Sequence, residues 1–356
     1  MRSTLARLVA VGLIISACSV AEVADSTTTS QPATTSTSTS STTSTSSPAT
    51  TVGGGATSLI NGLPVDDPSL LDRRVLAVKI DNHPRATPQS GINHADMVVE
   101  VLVEGITRFI SIWHESDTDY LGPMRSGRPT EAYLLPAFNH PTFAISGGQA
   151  WVQNLITSFD TPLIKELSEG TFRISGRSAP HNLYVDTFAL RETADSRDYP
   201  NDPPEGPLWD FGPMPATADA ASEVNIDFAG NTVIWTWDES EGLWLRTAYN
   251  EESMYRDEDG TEGRIGVPVM VALYVEPYTA RPGGGQSGTG LPSSRTTGSG
   301  EAYVFADGKV VQGTWERETE TEWYTLTDDS GEVIMIPPGQ IWVSLVPNTS
   351  GLTVTP

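Results

Sequence analysis

Valine-rich runs with alternating polarity predict β-structure in the first half of the chain. The run at 98–104 alternates valines with Glu100, Leu102 and Glu104, a period of two that is typical of a half-buried strand. Gly105 interrupts the pattern, and β-branched and aromatic residues resume at 106–113. We therefore predict a β-hairpin, with a helix over 98–104 as the alternative.

An α/β unit follows at 141–159. The apolar run at 141–146 predicts a strand, Gly147 and Gly148 a turn, and 149–159 a helix with apolar residues at helical spacing. A second helix is expected from Thr130, as its cap, to about residue 138. In open α/β sheets ligands bind at the carboxyl ends of the strands, so polar residues there are candidates for a site.

The pattern changes after residue 194. Residues 195–222 are rich in Pro, Asp and Ala and predict a linker, and 282–300 predict a mobile Gly/Ser loop. The remaining stretch predicts short strands at 232–237, 243–249, 268–275, 302–306, 309–315, 332–336 and 340–346. The expected architecture is an α+β or α/β N-terminal domain with a mixed sheet at 59–194, followed by a mostly β C-terminal domain at 223–350.

The N-terminus carries the pattern of an exported lipoprotein. Two arginines precede the apolar run 8–15, and Cys18, the single cysteine of the chain, follows small residues. We predict a signal peptide at 1–17, lipidation of Cys18 and a disordered Ser/Thr-rich tether at 18–58. An ordinary signal peptide with an incidental cysteine is the alternative. The run is shorter than the ~20 residues that a spanning helix needs.

Charge is distributed unevenly along the chain, whose formal net charge is −24. Residues 73–181 carry 10 basic and 11 acidic side chains and all five histidines, whereas 182–356 carry 9 basic and 29 acidic ones. An acidic surface repels nucleic acid and anionic lipid headgroups, so no nucleic-acid partner is expected. A solubilising surface is the simpler interpretation of this charge.

Long motifs resemble one bacterial family. The resemblance rests on DNHP at 81–84, PQSG at 88–91, VEGITRF at 103–109, GPMRSGR at 122–128, APHNLY at 179–184, DGK at 307–309, GTW at 313–315 and PGQIWV at 338–343. These residues are similar to the YerB-like lipoproteins, which share the domain of unknown function 3048. The resemblance covers nearly all of the chain from about Leu71. It implies a two-domain envelope lipoprotein and no known reaction. The family commonly has two glycines where this chain has Gly105 alone, which leaves the hairpin register open.

Two arginines in a glycine-containing loop are candidates for ligand binding. Arg125 and Arg128 stand just before a predicted helix start, and guanidinium groups suit carboxylates and phosphates. Internal ion pairs with Glu100, Glu104 or Asp81 are the alternative, and Arg108 is expected to pair across the hairpin. The full set of candidate ligand-binding residues is Asp81, Asn82, Arg125, Ser126, Arg128, His181 and Asn182.

Candidate catalytic residues are Glu100, Glu104 and His181. Paired carboxylates are what glycoside cleavage requires, although such pairs are common on ordinary surfaces. His181 suits proton transfer near neutral pH, or it holds a loop by one hydrogen bond. Asp81 and His83 lack an obvious third ligand, and the chain has no HExxH, GxSxG or phosphate-loop motif. We therefore expect no metal and no cofactor.

Three functions remain open from the sequence. The first is a module that binds an anionic or polar ligand of the cell wall or envelope. The second is a hydrolase acting on envelope glycan, and the third is a structural or assembly protein with an unknown protein partner. In each case we expect an exported protein that the lipid on Cys18 anchors to the outer face of the bacterial cell membrane.

Overall fold

Short strands predominate in the fold, as the spacing of apolar runs predicts. The computed structural model describes residues 55–166 and 168–356, so the predicted signal peptide, Cys18 and most of the tether lie outside the described residues. The first-half strands are β1 (Leu76–Ile80), β2 (Met97–Leu102), β3 (Thr107–Trp113), β4 (Thr142–Ile145), β5 (Leu163–Lys165), β6 (Thr171–Arg173) and β7 (Leu183–Val185).

The second half is built from β-strands. They are β8 (Asp219–Ala220), β9 (Glu223–Asp227), β10 (Thr232–Asp238), β11 (Leu243–Ala248), β12 (Glu251–Glu252), β13 (Met254–Arg256), β14 (Glu262–Arg264), β15 (Gly266–Val267), β16 (Val269–Val275), β17 (Pro277–Ala280), β18 (Leu291–Ser294), β19 (Gly298–Ala306), β20 (Lys309–Arg317), β21 (Thr325–Asp328), β22 (Ile341–Pro347) and β23 (Leu352–Thr355).

The described helices all precede residue 197. The α-helices are α1 (Pro129–Leu134), α2 (Ala150–Thr157) and α3 (Thr187–Ser196), and 3-10 turns form at Pro68–Asp72, Pro84–Ala86, Ile92–His94 and Leu135–Phe138. Among the described residues, none of these helices is long and apolar enough to cross a membrane. The structure confirms the predicted fold class, a mixed sheet in the first half and a mostly β second half.

One mixed sheet joins both halves of the chain. Its strand order is β21-β20-β19-β16-β22-β2-β3-β1-β4-β5, with β8 added on β20. Strand β22 lies between β2 and β16 and runs parallel to both, while β4 runs parallel to β1 and β5. The division into domains at 59–194 and 223–350 stays a prediction, and backbone hydrogen bonds join these two segments in a single sheet.

The two faces of this central sheet bury different layers. Met97, Val99 and Val101 pack with the residues of α1 and α2 on one face. On the other face, Val98 packs with α3 and with a second, antiparallel sheet of order β12-β11-β10-β9-β23. Strand β2 is therefore buried on both faces and not half-buried as the alternation predicts, because Glu100 is buried as well. The predicted hairpin forms, and its last pair joins Leu102 to Thr107.

Four local predictions need correction. The helix predicted from Thr130 begins at Pro129 with Arg128 at its cap position, and Pro136 leaves only a 3-10 turn after Leu134. The segment 282–300 is not a loop throughout, because β18 pairs with β17 and β19 begins at Gly298. The run 332–336 makes only isolated bridges instead of a strand. The predicted linker carries Trp209, which is 6% exposed.

Candidate functional site

The predicted ligand residues Asp81 and His181 form a hydrogen-bonded pair at the carboxyl end of β1. Asp81 follows the last residue of β1 and is fully buried. The His181 Nδ1 lies 2.7 Å from the Asp81 Oδ2, and because a carboxylate only accepts, Nδ1 is the donor. The His181 ring stacks on that of His83 with centroids 4.8 Å apart. Asp81 thereby fixes the orientation of an imidazole whose side chain is 12% exposed.

Arg125 shares the same carboxylate. Its Nε lies 3.2 Å from Asp81 Oδ2, and its side chain is 20% exposed. The backbone holds this loop on two strands, since the Arg125 N–H donates to Lys79 O in β1 and the Arg125 carbonyl accepts from the N–H of Ser146 after β4. The site therefore lies where the parallel strands β1 and β4 end, as ligand sites do in α/β sheets.

Arg128 is held by Glu104 in a two-pronged ion pair. Its Nε and Nη2 donate to the two Glu104 carboxylate oxygens at 2.7 and 3.0 Å. Burial alone would raise the pKa of Glu104, but the hydrogen bonds and charge of Arg128 hold it below its ordinary value. Glu104 is 40% exposed, so an anion from solution can reach this ion pair and compete with Glu104 for the guanidinium.

Arg108 adds a third guanidinium, which no carboxylate contacts in the described part of the chain. Its Nη1 donates to Ser126 O at 3.1 Å, and within residues 55–166 and 168–356 its buried Nε has no acceptor. Burial, and then the charges of Arg128 and Arg125, lower the pKa of Arg108 to about 10, so it stays protonated at neutral pH. Three arginines thus face the carboxylates of Asp81 and Glu104, which leaves an excess of positive charge.

The loop that carries Arg125 and Arg128 rests on a buried ion pair. Lys79 Nζ contacts Glu131, and both side chains are fully buried. Glu131 also accepts the N–H of Arg128, which ties the start of α1 to β1. Burial lowers the pKa of Lys79 to about 8 although Glu131 opposes the shift. This pair positions Arg128 without facing solvent.

Two further predicted ligand residues, Asn82 and Asn182, bond to the protein itself. The Asn82 amide donates to Thr107 Oγ1 at 2.7 Å, and only 2% of Asn82 is exposed. The Asn182 amide donates to Ile174 O at 3.1 Å and accepts from Arg173. Both side chains therefore shape the loops around the site. Ser126 stays close to it, with its hydroxyl 3.3 Å from that of Ser146.

The two candidate catalytic carboxylates have different surroundings. Glu100 is fully buried and accepts from Arg246 Nη2 at 2.6 Å and from Trp342 Nε1 at 3.0 Å. Glu104 lies in the exposed turn after β2 and pairs with Arg128. The structure thus brings Glu104, but not Glu100, to a surface that a ligand can reach.

The sequence did not predict Ser146 as a residue of the site, and it predicted a different partner for Arg108. Ser146 directly follows β4, and this place at the carboxyl end of a strand could have identified it as a candidate. Arg108 was expected to pair across the hairpin, yet its guanidinium donates to Ser126 O instead. Among the described residues, no group of three or more His, Cys, Asp or Glu is arranged to hold a metal ion.

Comparison with known proteins gives matches over most of the chain. Residues 60–200 match the family "Protein of unknown function (DUF3048) N-terminal domain", and 224–343 match its C-terminal domain. The Bacillus subtilis (strain 168) protein described as "Putative lipoprotein YerB" is 24% identical over 310 residues, 83% of this chain and 88% of that protein. Its name is consistent with the lipoprotein pattern at Cys18.

A solved structure has the same fold. The crystal structure of the YerB protein from Bacillus subtilis superposes with a TM-score of 0.70 at 22% identity, covering 84% of this chain and 99% of that one.

Proposed function

The chain belongs to the DUF3048 family, and we propose that it is an exported lipoprotein that binds an anionic ligand of the cell envelope at Arg108, Arg125 and Arg128. The observation that carries this proposal is that the buried guanidinium of Arg108 has no carboxylate partner among the described residues. A buried guanidinium beside two others, with no carboxylate in contact among the described residues, is stabilised when an anion arrives.

The chemistry of the site favours a carboxylate or a phosphate. Arg128 already holds the Glu104 carboxylate through two parallel hydrogen bonds, which is the geometry in which arginine recognises either group. A ligand that displaces the exposed Glu104 would gain the same two bonds. The Ser126 and Ser146 hydroxyls and the His181 ring are further polar groups of the site.

Titration of the full chain with small anions tests this function. The probes are inorganic phosphate, N-acetyl-alanyl-alanine with its free carboxylate, and the C-terminal amide of that dipeptide. We expect calorimetry and thermal unfolding to report binding of phosphate or the free acid but not of the amide. A probe at 100 times its dissociation constant adds about 2.7 kcal/mol to the free energy of unfolding.

The matched variants are Arg128→Ala and Arg295→Ala. Arg295 forms the same kind of ion pair with Glu276, at 2.7 Å, in an exposed position. Arg128→Ala should abolish binding, and Arg295→Ala should leave it unchanged. No binding of either anion, or equal binding by both variants, would overturn the proposal.

A hydrolase acting on envelope glycan is the second candidate. It is favoured by the Asp81–His181 pair, in which a buried carboxylate orients a partly exposed imidazole for proton transfer. With Glu100 buried, Glu104 and His181 are the groups left to act. Release of soluble fragments from purified cell wall should then be lost in both His181→Gln and Glu104→Gln. Full activity in both variants would remove this candidate.

The lipid anchor is part of the same proposal. Lipidation of Cys18 would hold the protein on the outer face of the membrane, with 18–58 as the tether. Substitution Cys18→Ser should release the protein from the membrane fraction. Unchanged membrane retention would contradict the proposed anchor.

A further inference from the structure

Glu104 occupies the Arg128 guanidinium as an anion that the protein itself supplies. Its two carboxylate oxygens accept from Nε and Nη2 of Arg128 at 2.7 and 3.0 Å, and 40% of its side chain is exposed. Burial would raise the pKa of Glu104, but the hydrogen bonds and charge of Arg128 hold it below its ordinary value, so the carboxyl group is ionised at neutral pH. A ligand of Arg128 therefore competes with a carboxylate that is already in place.

The turn that carries Glu104 is held by its backbone, whereas the Glu104 side chain reaches solvent. The N–H of Val103 donates to the carbonyl of Ile106 at 2.8 Å, and the carbonyl of Gly105 accepts from the Asn231 side-chain amide at 3.1 Å. Exposed side chains change rotamer on a far shorter timescale than backbone segments rearrange. Glu104 can therefore release its partner without any change in β2 or β3.

Arg125 and Arg108 contribute donors that no described residue uses. The side chain of Arg125 is 20% exposed, and its Nη1 and Nη2 are open and unpaired within residues 55–166 and 168–356, since only its Nε is enclosed. Arg108 and Arg128 both donate to the carbonyl of Ser126, at 3.1 and 3.3 Å, so their guanidinium groups are neighbours. The charge of Arg125 also acts on Arg108. An anion at Arg128 therefore lies among the donors of one compact cluster.

The charges of this cluster match a dianion. Its three guanidinium groups face two carboxylates, and one of these, Asp81, is fully buried and accepts from His181 at 2.7 Å, so it stays in the site. The neighbouring buried pair of Lys79 and Glu131 adds no net charge. When Glu104 turns toward solvent, two positive charges are thus left without a counter-charge. A phosphate monoester carries about −1.5 to −2 at neutral pH and neutralises both.

A single carboxylate gains little by entering the same site. It would replace Glu104 with a group of the same charge and the same two hydrogen bonds, and it would lose the freedom that it has in solution. A phosphate monoester brings a third terminal oxygen and further negative charge, which the open donors of Arg125 can use. The exchange with Glu104 therefore favours the phosphoryl group.

We propose that the ligand of this site is a phosphate monoester and that Glu104 is its internal competitor. This inference rests on the proposed anion-binding function and selects one of the two ligand classes that guanidinium groups suit. In the free protein Glu104 holds Arg128. In the complex the phosphoryl oxygens accept from Arg128 and Arg125, and the Glu104 carboxylate lies in solvent.

Three small anions separate charge from geometry in calorimetric titrations of the full chain. Methyl phosphate is a monoester and a dianion at pH 8, well above its second pKa of about 6. Dimethyl phosphate is a monoanion of similar shape, and N-acetyl-alanyl-alanine is a monocarboxylate. Methyl phosphate should bind about tenfold more tightly than either of the others, because it gains at least one further charge-assisted hydrogen bond. Equal affinity for methyl and dimethyl phosphate, or tighter binding of the dipeptide, would overturn the assigned ligand class.

Matched variants test the competitor. Glu104→Gln removes the internal charge and should raise the affinity for methyl phosphate about fivefold, the value of a strong exposed ion pair. Glu276 forms the equivalent exposed pair with Arg295, at 2.7 Å, so Glu276→Gln is the control and should leave the affinity unchanged. Both variants alter exposed side chains, which keeps the test independent of folding. An affinity of Glu104→Gln that is equal to or below that of wild type would refute the role of Glu104.

The outcomes separate this inference from the proposed function. If none of the three anions binds to wild type or to Glu104→Gln, the anion site is refuted and the inference with it. If the anions bind without discrimination between monoester and diester, the anion site stands and the choice of a phosphate monoester is refuted.

Discussion

Glu100 and Arg246 form an ion pair in the core, with the carboxylate oxygen 2.6 Å from Nη2 and at most 1% of either side chain exposed. Glu100 comes from β2 of the central sheet and Arg246 from β11 of the second sheet. The guanidinium also lies 5.1 Å from the Phe109 ring centroid and 5.4 Å from that of Trp342. This pair joins the two sheets through charge inside an apolar layer.

Substitution Glu100→Gln should destabilise the protein strongly. The amide keeps the shape but leaves the Arg246 charge buried without a counter-charge, which costs about 3–5 kcal/mol. Urea unfolding followed by tryptophan fluorescence measures the change. Glu104→Gln is the control, because its exposed pair with Arg128 contributes at most about 1 kcal/mol. Equal stability of the two variants would show that the buried pair contributes no more to the free energy of unfolding than the exposed pair does.

Asp96 should make stability depend on pH in the acid range. Its carboxylate is buried and accepts the N–H groups of His114, Glu115 and Ser116. Burial, together with the charge of Glu115, raises its pKa from 3.8 to about 6. Between these values the folded state holds a proton that the unfolded state has released, so this group's contribution falls as pH rises from about 4 to 6.

Substitution Asp96→Asn should remove that fall, because an amide oxygen accepts the same N–H groups without a charge. The difference between wild type and variant should change by about 2 kcal/mol between pH 4 and pH 7, which is most of the roughly 3 kcal/mol that the two pKa values imply at 1.36 kcal/mol per pKa unit. Denaturant unfolding at several pH values measures it. Asp329 is an exposed carboxyl, so the free energy of unfolding of Asp329→Asn should depend on pH as that of wild type does. A pH profile of Asp96→Asn that is also parallel to wild type would contradict this assignment.

Gly313 is required where β20 meets β21. A Cβ there would lie 2.1 Å from the backbone oxygen of Thr327 and 2.8 Å from Ile334 Cδ1. Gly313→Ala should therefore cost about 1–3 kcal/mol or displace β21. At Gly351 an added Cβ would meet no described residue within 4 Å other than its two chain neighbours, so Gly351→Ala should change stability by less than ~0.5 kcal/mol. Thermal unfolding of both variants measures these changes. If Gly313→Ala were as stable as wild type, the close contact between Gly313 and β21 would be refuted.

His181 should be present as one tautomer when neutral. Asp81 accepts from Nδ1, so the proton resides there and Nε2 carries the free lone pair. Long-range proton–nitrogen NMR correlation at pH 8 distinguishes the two tautomers, with His181→Gln identifying the signal. A proton on Nε2 would mean that the ring is turned the other way, and the proton-transfer proposal would lose its basis.

Local pattern predicts the strands but not their partners. The alternation at 98–104 correctly predicts β2, and strand, Gly-Gly turn and helix correctly predict the unit at 141–159. Glu100 was expected beside Glu104 or an arginine of the loop, yet its partner lies 146 residues away in β11. No periodicity encodes that distance, because burial between two sheets depends on how they pack.

The site is predictable only in part for a related reason. Asp81, Arg125 and His181 were predicted as ligand residues, and they come together because β1, β4 and β7 hold their loops at one end. Asn82 and Asn182 have the right chemistry but bond to neighbouring backbone and side chains. The segment 282–300 reads as a loop from composition, although backbone pairing to β17 and β20 orders its second half.

The position of β22 means that the central sheet can be completed only late in synthesis of the chain. Both neighbours of this strand, β2 and β16, are complete more than sixty residues before Ile341 is made, and until then each presents an open edge toward the gap. Open strand edges pair with other chains, so during synthesis the protein is most prone to aggregate before β22 emerges. A truncation before Ile341, which removes β22, would leave both edges open and should therefore lower the yield of folded protein.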